Sequence, residues 1–410
     1  MIQKNIQDYY HYVKPRKRNN SSSSSADIFP MAIVLQIFSY LDINDIARSS
    51  MASKSWQNAV SQLKDACLPI DDDNIDGDPF DDLSKKLDFI RTRCKSLVDI
   101  TFRGGTYPYY DAQFNSFFEM LRYRGGQNIQ IFLKTYRSSL KHFSYIGPWD
   151  FNDRTEFYSI SAMNLTRLRP LSNMLSLESL TFCRCFVYQK CEIDIKCILQ
   201  NNMGMPSLKT LKLVDVIPCL FDVIPYCNYR PKKKGMQSLS TVIGKLASLS
   251  SLHITGSKWN FDCFDAEELL SGLNHRLQRL HIDGLTETSV TAITTYCTGL
   301  SDLTLSNFRL DGNADYALFQ KVLSMLKRCP IRHLYFKSLS GCGDHIAEVR
   351  QLCTAGNTLL TMTIGHIYWP KPTNLSTEIC QRRRLLKRAA SESSKGRVKL
   401  VIESPYFHTM

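Results

Sequence analysis

From Leu97 to Ile364 the chain repeats one spacing of apolar residues, L-x-x-L-x-L with aliphatic or aromatic replacements. The copies are Leu97-Ile100-Phe102, Leu140-Phe143-Tyr145, Leu177-Leu180-Phe182, Leu208-Leu211-Leu213, Leu249-Leu252-Ile254, Leu277-Leu280-Ile282, Leu300-Leu303-Leu305, Ile331-Leu334-Phe336 and Leu359-Met362-Ile364. The period of two at the end of each copy predicts a short strand. Between copies the period changes to 3.6, as in Phe319, Val322, Leu323 and Leu326 or Ile346, Val349 and Leu352, which predicts a helix after each strand. From Leu249 the starts step by 28, 23, 31 and 28 residues, and earlier steps reach 43, so insertions are looped out there. A weaker copy is expected at Leu165, and Val398-Leu400-Ile402 is expected to close the series. One strand edge and one helix face per unit cannot be buried alone, so neighbours must stack into a curved α/β solenoid.

Ahead of this series, Asp27 to Val60 has a different pattern. Val34, Ile37, Phe38 and Leu41 fall at i, i+3, i+4 and i+7, the apolar stripe of a helix over Met31 to Leu41, with Pro30 suited to its first turn. Asp42 and Asn44 break the run, and Asn44 is expected to cap a second short helix with Ile46 and Met51 facing inward. Trp56 follows on a third segment, where a large aromatic supplies much of the buried area of so small a unit. Three short helices below about 40 residues bury too little to stand alone, so this stretch requires a partner surface.

Phe29-Pro30, Ile33-Val34-Leu35, Ile37-Phe38-Ser39-Tyr40-Leu41, Asp45-Ile46 and Lys54-Ser55-Trp56 resemble an F-box across the whole motif, with Ala52 before Ser53 where the family usually has a larger aliphatic residue. The series behind it resembles leucine-rich repeats of the cysteine-containing type, because Cys94, Cys297 and Cys329 stand just before strands. It departs at the ninth repeat position, where only Cys185 fits the family's Asn or Cys while Val216, Leu285, Phe308, Leu339 and Ile367 are apolar, so irregular turns are expected. The resemblance implies docking on a Skp-type adaptor and through it on a cullin and a RING subunit, with the repeats holding a protein substrate. Matched residue by residue, it implies Pro30, Val34, Ile37, Phe38, Leu41 and Ile46 for the adaptor interface or its immediate support, and Trp56 for the F-box core.

The expected organisation is a basic, serine-rich disordered tail (1–26), an F-box (27–67), an acidic linker (68–82), a leucine-rich-repeat solenoid (83–403) with insertions near 217–238 and 370–396, and a tail (404–410). In the linker Asp72, Asn74, Asp76 and Gly77 open like a calcium loop, but Leu83 stands where the bidentate Glu is needed. Hydrophobic content of 43% and charged content of 22% belong to a folded chain rather than a disordered one. The first residues lack an apolar core of a secretory signal, no run is long enough for a membrane span, and the 14 scattered cysteines lack zinc spacing, so buried free thiols in the cytoplasm or nucleus are expected.

Catalytic machinery is not expected, nor a cofactor, nor a metal. There is no phosphate-cradling glycine loop, H-E-x-x-H or G-x-S-x-G, and Gly341-Cys342-Gly343-Asp344-His345 reads as a turn. The x positions of the strands instead predict a polar recognition face, with Thr181, Lys212, His253, His281, Thr304, Tyr335 and Thr363 in its middle column. Lys212, Arg279, His281, His333, Tyr335 and Lys337 are its candidate contacts for an acidic or phosphorylated segment, in keeping with a net charge of +13. The leading expectation is a non-catalytic substrate receptor of an SCF-type ubiquitin ligase. The alternatives are a scaffold that binds the adaptor without ubiquitin transfer, and a basic repeat protein that uses runs such as Arg382 to Arg388 on RNA or a membrane surface; nucleic acid is the less favoured partner.

Overall fold

A computed structural model of the chain describes residues 29–41, 43–70, 79–95, 97–104, 125–146, 165–183, 186–187, 198–199, 205–214, 217–218, 239–255, 265–309, 313–340, 345–368 and 375–403. The basic tail, the calcium-like run, Cys342, Cys185, most of the 217–238 insertion and the last residues lie outside them.

Three short helices come first, α1 (Met31–Phe38), α2 (Ile43–Ser50) and α3 (Lys54–Ser61). Strands and helices then alternate: β1 (Asp65–Ile70), α4 (Pro79–Arg93), β2 (Asp99–Gly104), α5 (Gly125–Thr135), β3 (His142–Ile146), a 3-10 helix (Leu165–Asn173), β4 (Ser179–Cys183) and β5 (Thr210–Val214). The second half continues with α6 (Leu239–Gly244), β6 (Ser251–Thr255), α7 (Ala266–Leu273), β7 (Arg279–Ile282), α8 (Glu287–Tyr296) and β8 (Asp302–Arg309). It ends with α9 (Asn313–Arg328), β9 (His333–Ser340), α10 (Ile346–Ala355), β10 (Thr361–Tyr368), α11 (Leu375–Ser393) and β11 (Lys399–Ile402). Those eleven strands form one sheet in chain order, every pair parallel, and Phe186–Val187 pairs separately with Ile217–Pro218.

The apolar spacing explains this order. The first and second apolar positions of all nine copies are at most 1% exposed, and they share one core with the helices. Fully burying one such side chain is worth about 1.5–3 kcal/mol, so each added unit is held chiefly by the hydrophobic effect. Register is fixed by a second device. The carbonyl one residue after the first apolar position accepts two amides from the next unit: Val98 from Lys141 and His142, Lys141 from Glu178 and Ser179, Ser250 from Gln278 and Arg279, Ser301 from Arg332 and His333. Lys64 does the same for Val98 and Asp99 at 2.7 and 2.9 Å.

Several expectations change at this point. Leu63, Ala66 and Leu68 are a further copy of the spacing, so the sheet begins at Asp65, inside the segment divided in the sequence reading between F-box and linker. Leu165 begins a 3-10 helix rather than a strand. The 370–396 segment is not a bare insertion, since α11 buries Leu386, Ala389 and Ala390 against α10 and leads into β11. The apolar ninth positions do not make irregular turns in β8, β9 and β10. There the strands run on, pairing Phe308 with Leu339 and Leu339 with Ile367, all buried.

The helical layer has its own locks. Gly272 lies so close to Gly244 that a Cβ there would stand 2.7 Å from the Gly244 Cα, which lets α7 approach α6. Tyr136, after α5, directs its hydroxyl to the carbonyls of Ile90 and Cys94 at the end of α4, each at 2.8 Å, and its ring packs on Phe132. Tyr136→Phe keeps the ring and strips the donor from two buried carbonyls. We predict a loss of about 1–3 kcal/mol, read as a lower urea midpoint with unchanged cooperativity; an unchanged midpoint would show that the hydroxyl contributes nothing.

Candidate functional site

Two surfaces carry the chemistry, one on the helical unit and one on the sheet. In the helical unit, Ser53 caps α3 by accepting the Trp56 amide at 3.2 Å, which sets Trp56 against Phe38 edge to face with centroids 5.5 Å apart. Val34, Phe38, Ile46 and Trp56 are buried together. Of the six residues matched to the adaptor interface, Val34, Phe38 and Ile46 therefore support the unit from inside. Ile37 and Leu41 are half-buried, and Pro30 is exposed.

The outward apolar set is different. Phe29 (40% exposed), Ile33 (42%), Tyr40 (65%) and Met51 (74%) all face solvent. Met51 is thus a correction, since it points away from the core it was expected to fill. Ile33 and Ile37 stand at i and i+4 on α1, and Tyr40 follows in the turn after it, a second apolar row beside the buried stripe. That row was readable in the sequence, but nothing in spacing alone tells which of two adjacent stripes turns inward.

On the sheet, the face away from the helices presents the predicted columns. Thr181, Lys212, His253, His281, Thr304, Tyr335 and Thr363 are consecutive register partners across β4 to β10. Arg279, Asp302 and His333 form a neighbouring row in register, so a carboxylate separates the two basic candidates. Tyr335 is half-buried and donates its hydroxyl to Glu403 at 3.0 Å.

His253 and His281 form the centre of this face. Their rings stack with centroids 3.7 Å apart and planes 19° from parallel. Each Nε2 pairs with a hydroxyl at 3.0 Å, His253 with Thr255 and His281 with Ser306. Desolvation, with the charges of Lys212 and Lys337, pulls His253 down to about 4, and desolvation, His253 and the same two lysines pull His281 down to about 3. The charges of Lys212 and Lys337 both bear on His281, Tyr335 shares its column two strands away, and Arg279 and His333 lie in the neighbouring row. Thr255, Ser306 and Glu403 are functional neighbours that the sequence analysis does not single out, although Lys337 in the same column is among its candidates.

The buried thiols are unreactive, whereas Cys67 and Cys183 are half-buried and Cys380 is exposed. Burial pushes Cys94 and Cys297 up to about 12 and Cys329 and Cys353 up to about 11, so they stay protonated. Among the described residues no three His, Cys, Asp or Glu side chains gather to hold a metal, and no helix is long and apolar enough to cross a membrane. Comparison with known families matches an F-box-like domain to residues 28–64, which are α1 to α3 and the turn before β1. No curated protein matches the chain.

The histidine pair makes stability pH-dependent. Unfolded, both imidazoles protonate near about 6.5, above their folded values of about 4 and about 3, so below pH 6.5 the unfolded chain binds more protons and stability falls on acidification. In urea titrations from pH 7.5 to 4.5, His253→Asn with His281→Asn is expected to lose less stability on acidification than the parent, by up to about two protons of slope. Parallel curves would remove the pair as the source.

Proposed function

We propose that the chain is the substrate-recognition subunit of an SCF-type ubiquitin ligase. The F-box-like helices dock on a Skp-type adaptor, which brings a cullin and its RING subunit, and the strand–helix series, read as a leucine-rich-repeat solenoid from about Asp65 to Ile402, holds a protein substrate on its open face. The observation that carries this reading is the F-box-like match on a unit that buries Val34, Phe38, Ile46 and Trp56 yet leaves Phe29, Ile33, Tyr40 and Met51 in solvent. Four large exposed apolar side chains on so small a unit support an interaction surface. The chain itself forms and breaks no bond in this scheme. It supplies proximity, raising the local concentration of substrate lysines near the charged ubiquitin carrier. Such a complex places the protein in the cytoplasm, the nucleus or both.

The test is co-purification. The intact chain is expected to bring down a Skp-type adaptor together with cullin. Ile33→Asp with Tyr40→Asp should weaken adaptor capture by at least about tenfold, with little change in the unfolding midpoint because both side chains are exposed. Absence of any adaptor with the intact chain ends the reading. Adaptor without cullin, and without ubiquitin transfer, turns it into the scaffold alternative.

A further inference from the structure

We propose that Lys212 and Lys337, flanking the stacked His253 and His281 along the sheet, form a seat for the phosphate of a phosphorylated protein segment. The inference rests on the receptor reading only for the protein nature of its ligand. The seat itself stands on geometry.

Lys212 is the register partner of His253, one strand before it, and both lysines are exposed. Lys337 stands beside Ser306, between the paired Leu305–Phe336 and Asn307–Ser338, and Ser306 is the residue that holds His281. The two lysines thus flank one imidazole pair, Lys212 one strand before His253 and Lys337 two strands after His281. Among the described residues neither lysine has an ion-pair partner, whereas Lys141 and Lys209 share Glu178, Lys321 takes Glu287, and Arg388 takes Glu392. Of the carboxylates in the adjoining columns, Asp283 is buried, Asp302 accepts the Ser301 hydroxyl and Glu403 accepts the Tyr335 hydroxyl.

Two uncompensated cations beside a flat, half-buried platform call for an anion, and the charge count selects its class. A carboxylate brings one charge and two oxygens, so it leaves one lysine unmatched. A phosphate monoester brings about −1.5 to −2 and three strong acceptor oxygens, enough for both ammonium groups and a ring N–H. Charge-assisted hydrogen bonds of this kind are about twice as strong as neutral ones. The hydroxyls of Thr255 and Ser306 fix the ring planes, so the platform is ordered before the ligand arrives.

The full-length chain is titrated with N-acetyl-phosphoserine amide, with N-acetyl-aspartate amide and with single-stranded oligouridylate. The readout is the ring-carbon NMR signals of its histidines, with His253 and His281 assigned by single substitution. The phosphoserine probe is expected to move those two signals at least about tenfold more tightly than the carboxylate probe. Lys212→Ala and Lys337→Ala are each expected to weaken it by about tenfold, roughly 1.4 kcal/mol. Adaptor capture by the two lysine variants is the folding control and reads the docking unit separately, so loss of adaptor binding and loss of the phosphate response report different failures. Equal response to both amino-acid probes, silence of the two signals, or a response indifferent to both lysines overturns the seat. A tighter response to the oligouridylate at the same residues, steeply weakened by salt, replaces it with a nucleic-acid surface.

Discussion

Each unit of the sheet hands one carbonyl to two amides of the next, and the in-register stacking that results governs the remaining architecture. The carbonyls of Lys64, Val98, Lys141, Glu178, Lys209, Ser250, Gln278, Ser301 and Arg332 stand in succession along the sheet, each immediately after a buried aliphatic residue. The hydrophobic effect brings neighbouring units together without direction, and this shared carbonyl converts that attraction into a fixed register. A slip by one residue would turn every core side chain to the open face. Apolar burial and hydrogen bonding therefore select the same alignment.

Because register is fixed, polar side chains far apart in sequence become neighbours across adjacent strands. His253 and His281 are 28 residues apart in the chain and stack only because β6 and β7 align them. The same alignment places Glu178 between Lys141 and Lys209, at 3.0 and 2.8 Å, and holds its carboxyl down at about 2 through those two lysines. An exposed triad of that kind contributes little to stability. Near β8 to β10 the alternation shifts by one residue, since Leu305 and Phe308 both face inward and Ser306 between them turns toward His281. The apolar ninth positions thus give up the usual turn and gain a longer strand.

Sequence made the strand positions legible because each rests on three residues of strong and independent preference. All nine recognised copies are buried as expected. The copy at Leu63 escaped because Ala66 is small and Pro69 and the acidic residues behind it read as a linker, although an edge strand tolerates the proline. Leu165 misled in the opposite direction, its spacing matching a strand while Pro170 and the surrounding polar residues settle into a 3-10 turn. In the helical unit the apolar content of α1 was clear, but its division into an inward stripe and an outward one depends on where Trp56 packs. Likewise the columns of the open face followed from spacing, while the stacking of His253 on His281 shows only in the structure.

The junction between α3 and β1 gives the chain a mechanical property. Only Gln62, Leu63 and Lys64 separate them, Leu63 is buried, and the Lys95 amide reaches back to the Ser61 carbonyl. The first helices and the sheet consequently share a core and leave no swivel between them. With strands about 4.8 Å apart, the histidine pair sits roughly 25–30 Å along the sheet from β1. A molecule gripped there is presented at a set reach from whatever grips α1, so the number of units in between acts as a ruler. Which parts of the cargo come within range is then decided by strand count, and lengthening or shortening the array by one unit would move that range by one strand spacing.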